Sequence, residues 1–207
     1  MTGYYWIASP PPFGISGIAH SWFSSYLYVR SRSVSANGIF SNPRPLSFGV
    51  PQGSVLGPIL YILYNCPLHE IVSKTGVSEH YFADDAHIFK SFTPSPSAAE
   101  QHLAYSHLTA SIDEQKKWLT ANKLKLNTDK TIALLVSSST TTKKPSSSLP
   151  LIADGLPITP STSVRNLGVL LDSHLSLDLQ INSSCKKAYF HLRRIARIKK
   201  FLTTPLS

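Results

Sequence analysis

Two adjacent carboxylates, Asp84 and Asp85, stand between the strand-like runs Tyr81-Phe82-Ala83 and Ala86-His87-Ile88-Phe89. No feature of the chain restricts its folding more. Burying an unpaired carboxylate costs several kcal/mol or forces it to take up a proton. The pair therefore has two outlets. It can form a solvated Asp-Asp turn between two strands, or it can share a hard divalent cation, because Mg2+ prefers a few carboxylates together with substrate phosphates. In phosphoryl and nucleotidyl transfer, two such ions about 3.5–4 Å apart clamp the attacking and leaving oxygens.

Turn and breaker signals divide the rest of the chain. Residues 1–12 read as a loose leader ending in three consecutive prolines, which join neither a helix nor a sheet ladder. Residues 18–30 read as a helix with Ile18, Trp22, Tyr26 and Val29 on one side. Asn37-Gly38 signals a hairpin within 34–40. A buried helix is expected from Ser54, with Ile59, Leu60, Ile62 and Leu63 too uniformly apolar for a surface helix and Pro58 tolerable only near its start. Residues 79–92 read as two strands around the acidic pair. A helix follows over 98–120, with Leu103, His107, Ala110, Glu114 and Trp118 at helical spacing. A turn and a strand over 131–136, a strand over 164–171 and a helix over 183–202 complete the pattern. There is no internal repeat, and the non-alternating order favours an α+β fold.

At 207 residues the chain is about one domain or a domain with an appendage. Its 42% hydrophobic and 15% charged content excludes wholesale disorder. Cys66 and Cys185 are too few for a disulfide framework or a Cys-x-x-Cys zinc site, so no disulfide partner is expected. The longest apolar stretch, 55–68, is broken by Gly57, Pro58, Asn65 and Pro67, and is too short to cross a membrane. No basic residue precedes Arg30, so the charged start of a signal peptide is missing. The expectation is a soluble intracellular protein. Charges balance over residues 1–100, so the whole +9 surplus lies in 101–207, and no acidic side chain follows Asp178. That asymmetry fits a polyanion partner or a merely solubilising basic face.

The acidic pair has company. Upstream stands Gly49-Val50-Pro51-Gln52-Gly53-Ser54-Val55-Leu56-Gly57-Pro58, and before it Ser21-Trp22-Phe23-Ser24-Ser25-Tyr26-Leu27 leading to Arg30. Downstream come Asn127-Thr128-Asp129-Lys130 and Val164-Arg165-Asn166-Leu167-Gly168-Val169. In this order and spacing, residues 13–200 resemble the reverse transcriptase domain of non-LTR (LINE-type) retrotransposons. The resemblance implies a right-hand polymerase palm, with RNA template, DNA primer, deoxynucleotides and Mg2+ as partners. Phe82-Ala83-Asp84-Asp85 matches the metal-binding hairpin, implying Asp84 as the direct ligand and Asp85 as a weaker participant. Pro51, Gln52, Gly53 and Ser54 match the motif lying against the incoming nucleotide and template. Lys130 matches the lysine thought to protonate the leaving pyrophosphate; a solvent-facing strand lysine is the alternative. Leu167, Gly168 and Val169 match the primer-grip hairpin, with Gly168 expected at a bulge or close approach.

One element of the family pattern is missing: no aspartate precedes Asp84, and the acids before it are Glu70 and Glu79. The expected consequence is a polymerase fragment, truncated at its N-terminus and catalytically impaired. Alternatives are a non-catalytic nucleic-acid binder, or a relic or incomplete gene product. The helix over 183–202 carries an apolar stripe and, on its other faces, Lys186, Lys187, Arg193, Arg194, Arg197 and Lys200. By resemblance it begins the thumb and tracks nucleic-acid phosphates; a membrane-surface or calmodulin-target helix is the rival. The expected organisation is a leader (1–12), a partial palm (13–136), a Ser/Thr/Lys-rich linker (137–150), a primer-grip segment (151–178) and a basic helix (179–207).

Overall fold

A computed structural model describes residues 14–28, 30–46, 49, 53–138, 140, 144–146, 149–199 and 201. They fall into two compact units, one drawn from residues 1–91 and 106–127, the other from 92–105 and 128–207.

In the first unit, helix α1 (Gly17–Leu27) buries Leu27, and Phe23 and Tyr26 pack with it against Leu60. Ile18 is 90% exposed and Trp22 50% exposed. Of the expected Ile18, Trp22, Tyr26 series, Tyr26 packs on the core, where Phe23 and Leu27 take the places expected of Ile18 and Trp22; Val29 lies outside the described residues. Four short strands follow: β1 (Ser31–Arg32), β2 (Ser35–Ala36), β3 (Ile39–Phe40) and β4 (Arg44–Pro45). β2 and β3 pair around Asn37-Gly38, whose φ values of 52° and 79° are both in the left-handed region that an Asn-Gly hairpin turn requires. β1 pairs with β4 outside that hairpin.

Helix α2 (Gly57–Ser73) starts three residues after Ser54, with Pro58 in its first turn, where a missing N–H costs nothing. It buries Leu60, Leu68 and Val72, yet Ile59 and Ile62 are open to solvent. The expectation of an all-round buried helix is thus corrected. The strands beside it form only two-stranded ladders, which cover one side of a helix. Strands β5 (Ser78–Phe82) and β6 (Asp85–Phe89) form the next hairpin. Helix α3 (Ala99–Ala121) spans the expected residues, but its buried face is Gln101, Ala104, Ser111, Ile112 and Gln115, whereas Leu103 is exposed. Tyr64 of α2 fastens the end of α3, donating its hydroxyl to the Asn122 carbonyl at 2.6 Å beside the Trp118 ring.

In the second unit, two hairpins carry the sheet structure. β7 (Leu151–Ala153) and β8 (Leu156–Ile158) pair around Asp154-Gly155, burying Leu151 and Ala153. β9 (Ser163–Asn166) and β10 (Val169–Asp172) pair around Leu167-Gly168, so the single strand expected over 164–171 is a hairpin. The strand expected over 131–136 reduces to one parallel bridge, Leu134 to Ser161. The linker expected over 137–150 is anchored as well. The Gln101 amide donates to the Ser146 carbonyl at 2.7 Å and accepts the Ser146 N–H at 2.9 Å. Gln101 is 2% exposed, so its removal leaves backbone groups unpaired where water is scarce. Gln101→Ala is expected to cost about 2 kcal/mol and to accelerate amide exchange at Ser146, as read by urea denaturation and hydrogen exchange.

Helix α4 (Asp178–Lys199) begins five residues before the expected start. Asp172 organises the turn ahead of it, its carboxylate accepting the N–H groups of His174, Ser176 and Leu177 and the Ser176 hydroxyl. These bonds, the Ser176 N–H foremost, hold the Asp172 carboxyl below its ordinary value of 3.8. A depressed carboxyl stabilises the turn fully above that ordinary value and loses the contribution as pH falls through the folded value. An NMR titration is expected to place the Asp172 midpoint below 3.8, and Asp172→Asn to loosen residues 173–177 at neutral pH.

The observed mixture of helices and short strands is α+β. All five sheets among the described residues are two-stranded, so no wider palm sheet is formed by them. No helix among them is long and apolar enough to cross a membrane. Cys66 and Cys185 are exposed free thiols.

Candidate functional site

The β5–β6 register brings Phe82 opposite Asp85, leaving Ala83 and Asp84 as the two central residues of a tight turn. Asp85 is the first residue of β6. Both carboxylates are exposed, so neither incurs the burial cost that strand-like flanks suggested, and the geometry is that of a solvated acidic turn. Ala83 has φ of 53°, a left-handed conformation that costs an L-residue about 1–2 kcal/mol. Only the first central residue has positive φ, the pattern of a turn that normally takes Gly there. Ala83→Gly is accordingly expected to raise the thermal midpoint of the first unit, a gain of about 0.5–1 kcal/mol.

The hairpin is held against α2 through Glu79. Its side chain is 7% exposed, and Oε1 lies 2.6 Å from Nδ1 of His69, a residue 74% exposed. The Tyr81 hydroxyl donates to Oε2 of the same carboxylate at 2.7 Å. Partial burial, then the negative Glu79 it bonds, push the Tyr81 phenol well above its ordinary range. Further along α2, burial raises the Tyr61 phenol, Asn65 opposes the shift, and the charge of Asp84 adds to it. The Asp84 charge is therefore felt at α2.

A two-ion centre needs more than this turn supplies. No group of three His, Cys, Asp or Glu side chains placed to hold a metal occurs among the described residues. Two exposed neighbouring carboxylates could share one hydrated ion. They do not complete a two-ion centre.

The remaining expected residues are scattered. Pro51 and Gln52 lie outside the described residues. Gly53 has φ of 78°, with open space where a Cβ would stand, so its conformation and not a close neighbour calls for glycine. Ser54 accepts the Gly57 N–H on its carbonyl at 3.1 Å, and its buried hydroxyl has no hydrogen-bond partner among the described residues. Lys130 ends the short 3-10 turn Thr128–Lys130, exposed, so it is a turn lysine of the second unit and not a strand residue. Leu167 and Gly168 are the turn of the β9–β10 hairpin, with φ of 46° and 87°. Gly168 is thus a turn residue with nothing near its Cβ position, correcting the expected bulge or close approach. Val169 opens β10.

Lys186, Lys187, Arg193, Arg194 and Arg197 all lie on α4, which buries none of its residues; Lys200 is outside the described set. The Arg194 guanidinium rests 5.6 Å from the Phe190 ring centre. Two arrangements escaped the sequence reading. One is the His69–Glu79–Tyr81 network, for which no local signal exists. The other is a pair of arginines facing each other across β1 and β4, hidden because the two positions are twelve residues apart.

The chain is similar to known proteins over most of its length. The model of the reverse transcriptase (RNA-dependent DNA polymerase) family matches residues 11–171. The probable RNA-directed DNA polymerase from transposon BS of Drosophila melanogaster is 27% identical over 176 residues, covering 83% of this chain and 18% of that protein. The RNA-directed DNA polymerase from mobile element jockey of the same fly is 30% identical over 161 residues, 77% of this chain and 17% of the relative. That from transposon X-element is 29% identical over 161 residues, 76% and 16% respectively. The chain thus spans less than a fifth of the length of these curated relatives. No solved structure matches it. With the Asp84-Asp85 hairpin inside the matched span, the chain belongs to the reverse transcriptase family, as a domain of the LINE-type retrotransposon kind.

Proposed function

We propose that this chain is a fragment of a retrotransposon RNA-directed DNA polymerase that holds an RNA template and DNA primer by their phosphates and is catalytically impaired as it stands. The family match over residues 11–171, which contains the Asp84-Asp85 turn, carries this reading. Within it, Asp84 and Asp85 supply two carboxylates of a Mg2+ cradle. Pro51, Gln52, Gly53 and Ser54 lie against the incoming deoxynucleotide and template. Lys130 serves the leaving pyrophosphate, and Leu167, Gly168 and Val169 hold the primer end. Residues 13–136 act as the partial palm, 151–178 as the primer-holding segment and 179–207 as the start of the thumb. For residues 1–207 taken alone, impairment is supported by the lack of an aspartate before Asp84 that could act as the first catalytic acid the resemblance implies.

The second reading, a nucleic-acid binder without catalysis, is favoured by one observation. Helix α4 presents Lys186, Lys187, Arg193, Arg194 and Arg197 with no buried residue and no acid after Asp178. Arginine and lysine on phosphates release counterions, so affinity falls linearly in log–log form with salt and without regard to sequence. Both readings are tested by fluorescence anisotropy of a labelled RNA–DNA primed duplex at increasing salt. A steep negative slope is expected; a flat one would remove the phosphate-tracking role.

A further inference from the structure

The short β1–β4 ladder contains an unfavourable arrangement that no described residue relieves. Its register sets Arg32 directly opposite Arg44. Directly opposed residues of an antiparallel pair share a face with their Cβ atoms about 4.5–5.5 Å apart, and like charges there destabilise the pairing. Both arginines are exposed, and neither side chain makes a hydrogen bond or ion pair with any described residue. The nearby sequence offers no remedy, because no acidic side chain occurs before Glu70.

The backbone that carries the pair is nevertheless held in place. Leu46 donates its N–H to the Arg30 carbonyl at 2.7 Å, continuing the ladder. Arg30 in turn donates from Nη2 to the Gly49 carbonyl at 2.6 Å. At the other end, the Ser41 N–H bonds the Val34 carbonyl at 2.9 Å and the Val34 N–H bonds the Ser41 hydroxyl at 3.0 Å, closing the base of the β2–β3 hairpin. Two arginine positions are thus held directly opposite each other on one face of the ladder, with no acidic partner among the described residues. Gly49, to which Arg30 is tied, begins the segment leading to Gly53 and Ser54.

We infer that Arg32 and Arg44 form a phosphate clamp, an anion site built on the first unit from residues other than those of the basic helix α4. Guanidinium forks match phosphate oxygens two at a time, and a phosphate between them turns the repulsion into attraction. The ligand class is a phosphodiester or polyphosphate. It comes either from a nucleic-acid backbone or from a nucleoside triphosphate, and the choice of those sources rests on the function proposed above.

The test uses the full chain and its Arg32→Ala/Arg44→Ala and Arg44→Glu variants, with inorganic tripolyphosphate and a labelled primed RNA template as probes. Arg44→Glu makes an opposite-charged cross-strand pair, so its thermal midpoint is expected to hold or rise while binding falls about tenfold or more. A variant that binds less yet melts no earlier cannot have lost binding through misfolding. The double alanine variant is expected to lower the salt slope for the RNA template by about 1.4–1.8, the counterion release of two phosphates. If tripolyphosphate raises the wild-type melting point and not that of the double variant, the clamp takes a triphosphate. If only template binding responds, it takes a backbone phosphate. Unchanged affinity and slope for both probes in both variants overturns the clamp. When substitutions on α4 still weaken template binding in that case, the proposed function survives the failure. When the wild type ignores the template but its tripolyphosphate response requires both arginines, the clamp stands and the proposed function fails.

Discussion

Replacing Lys186, Lys187, Arg193, Arg194 and Arg197 together by Gln is expected to weaken binding of a primed RNA template by roughly 10²–10⁴-fold, the larger loss at low salt. The size follows from counterion release. If four of these side chains reach phosphates, they contribute a slope of about −3.6 in log affinity against log salt, and removing them removes that part of the slope. The helix should survive the change, since α4 buries no residue and Gln has a helix propensity close to that of Lys and Arg. Circular dichroism on the variant checks this. The exposed apolar stripe of the same helix, Leu192, Ile195 and Ile198, gives the control. If a membrane-surface role governed the helix, substitutions along that stripe would abolish binding to anionic vesicles while the template affinity never depended on salt.

The fold was legible wherever local chemistry decides the outcome. Asn37-Gly38 needs positive φ at both residues and forms the turn its composition demands. The acidic turn and the long helix α3 appear where expected, because a hairpin tip and a helical run are properties of nearby residues. Which face of a helix is buried is decided by distant partners. Phe23 and Leu27 face the core instead of Ile18 and Trp22 because Leu60 and Leu56 wait on that side. Gln101 displaces Leu103 from the interior because its amide matches both backbone groups of Ser146. Composition marked residues 137–150 as a linker and could not reveal that anchor. The β7–β8 hairpin was missed although Asp154-Gly155 is a two-residue turn signal of the same kind as Asn37-Gly38.

The candidate site divides in the same way. Its motifs are read from sequence because each is a short run with its own conformational need. Asp84 occupies a strained tight turn, Gly53 a left-handed position, and Leu167-Gly168 a second tight turn. The supporting contacts join residues far apart in the chain. Glu79 reaches back ten residues to His69, and Arg44 meets Arg32 across an intervening hairpin.

The second large effect concerns chemistry. Charge stabilisation by bound metal supplies several kcal/mol of transition-state energy, and each 1.36 kcal/mol is tenfold in rate. If Asp84 and Asp85 are, as proposed, the only carboxylates that residues 1–207 bring to such a cradle, the expected loss is about 4 kcal/mol or more of that stabilisation, or roughly a thousandfold in rate. The most direct measurement is nucleotide incorporation by the purified 207-residue chain on an oligonucleotide-primed RNA template with Mg2+, beside its Asp84→Ala variant. The expected result is a chain that binds the template in a salt-dependent way yet incorporates no more nucleotide than Asp84→Ala. Template-directed incorporation by the chain alone, abolished by Asp84→Ala, would contradict it.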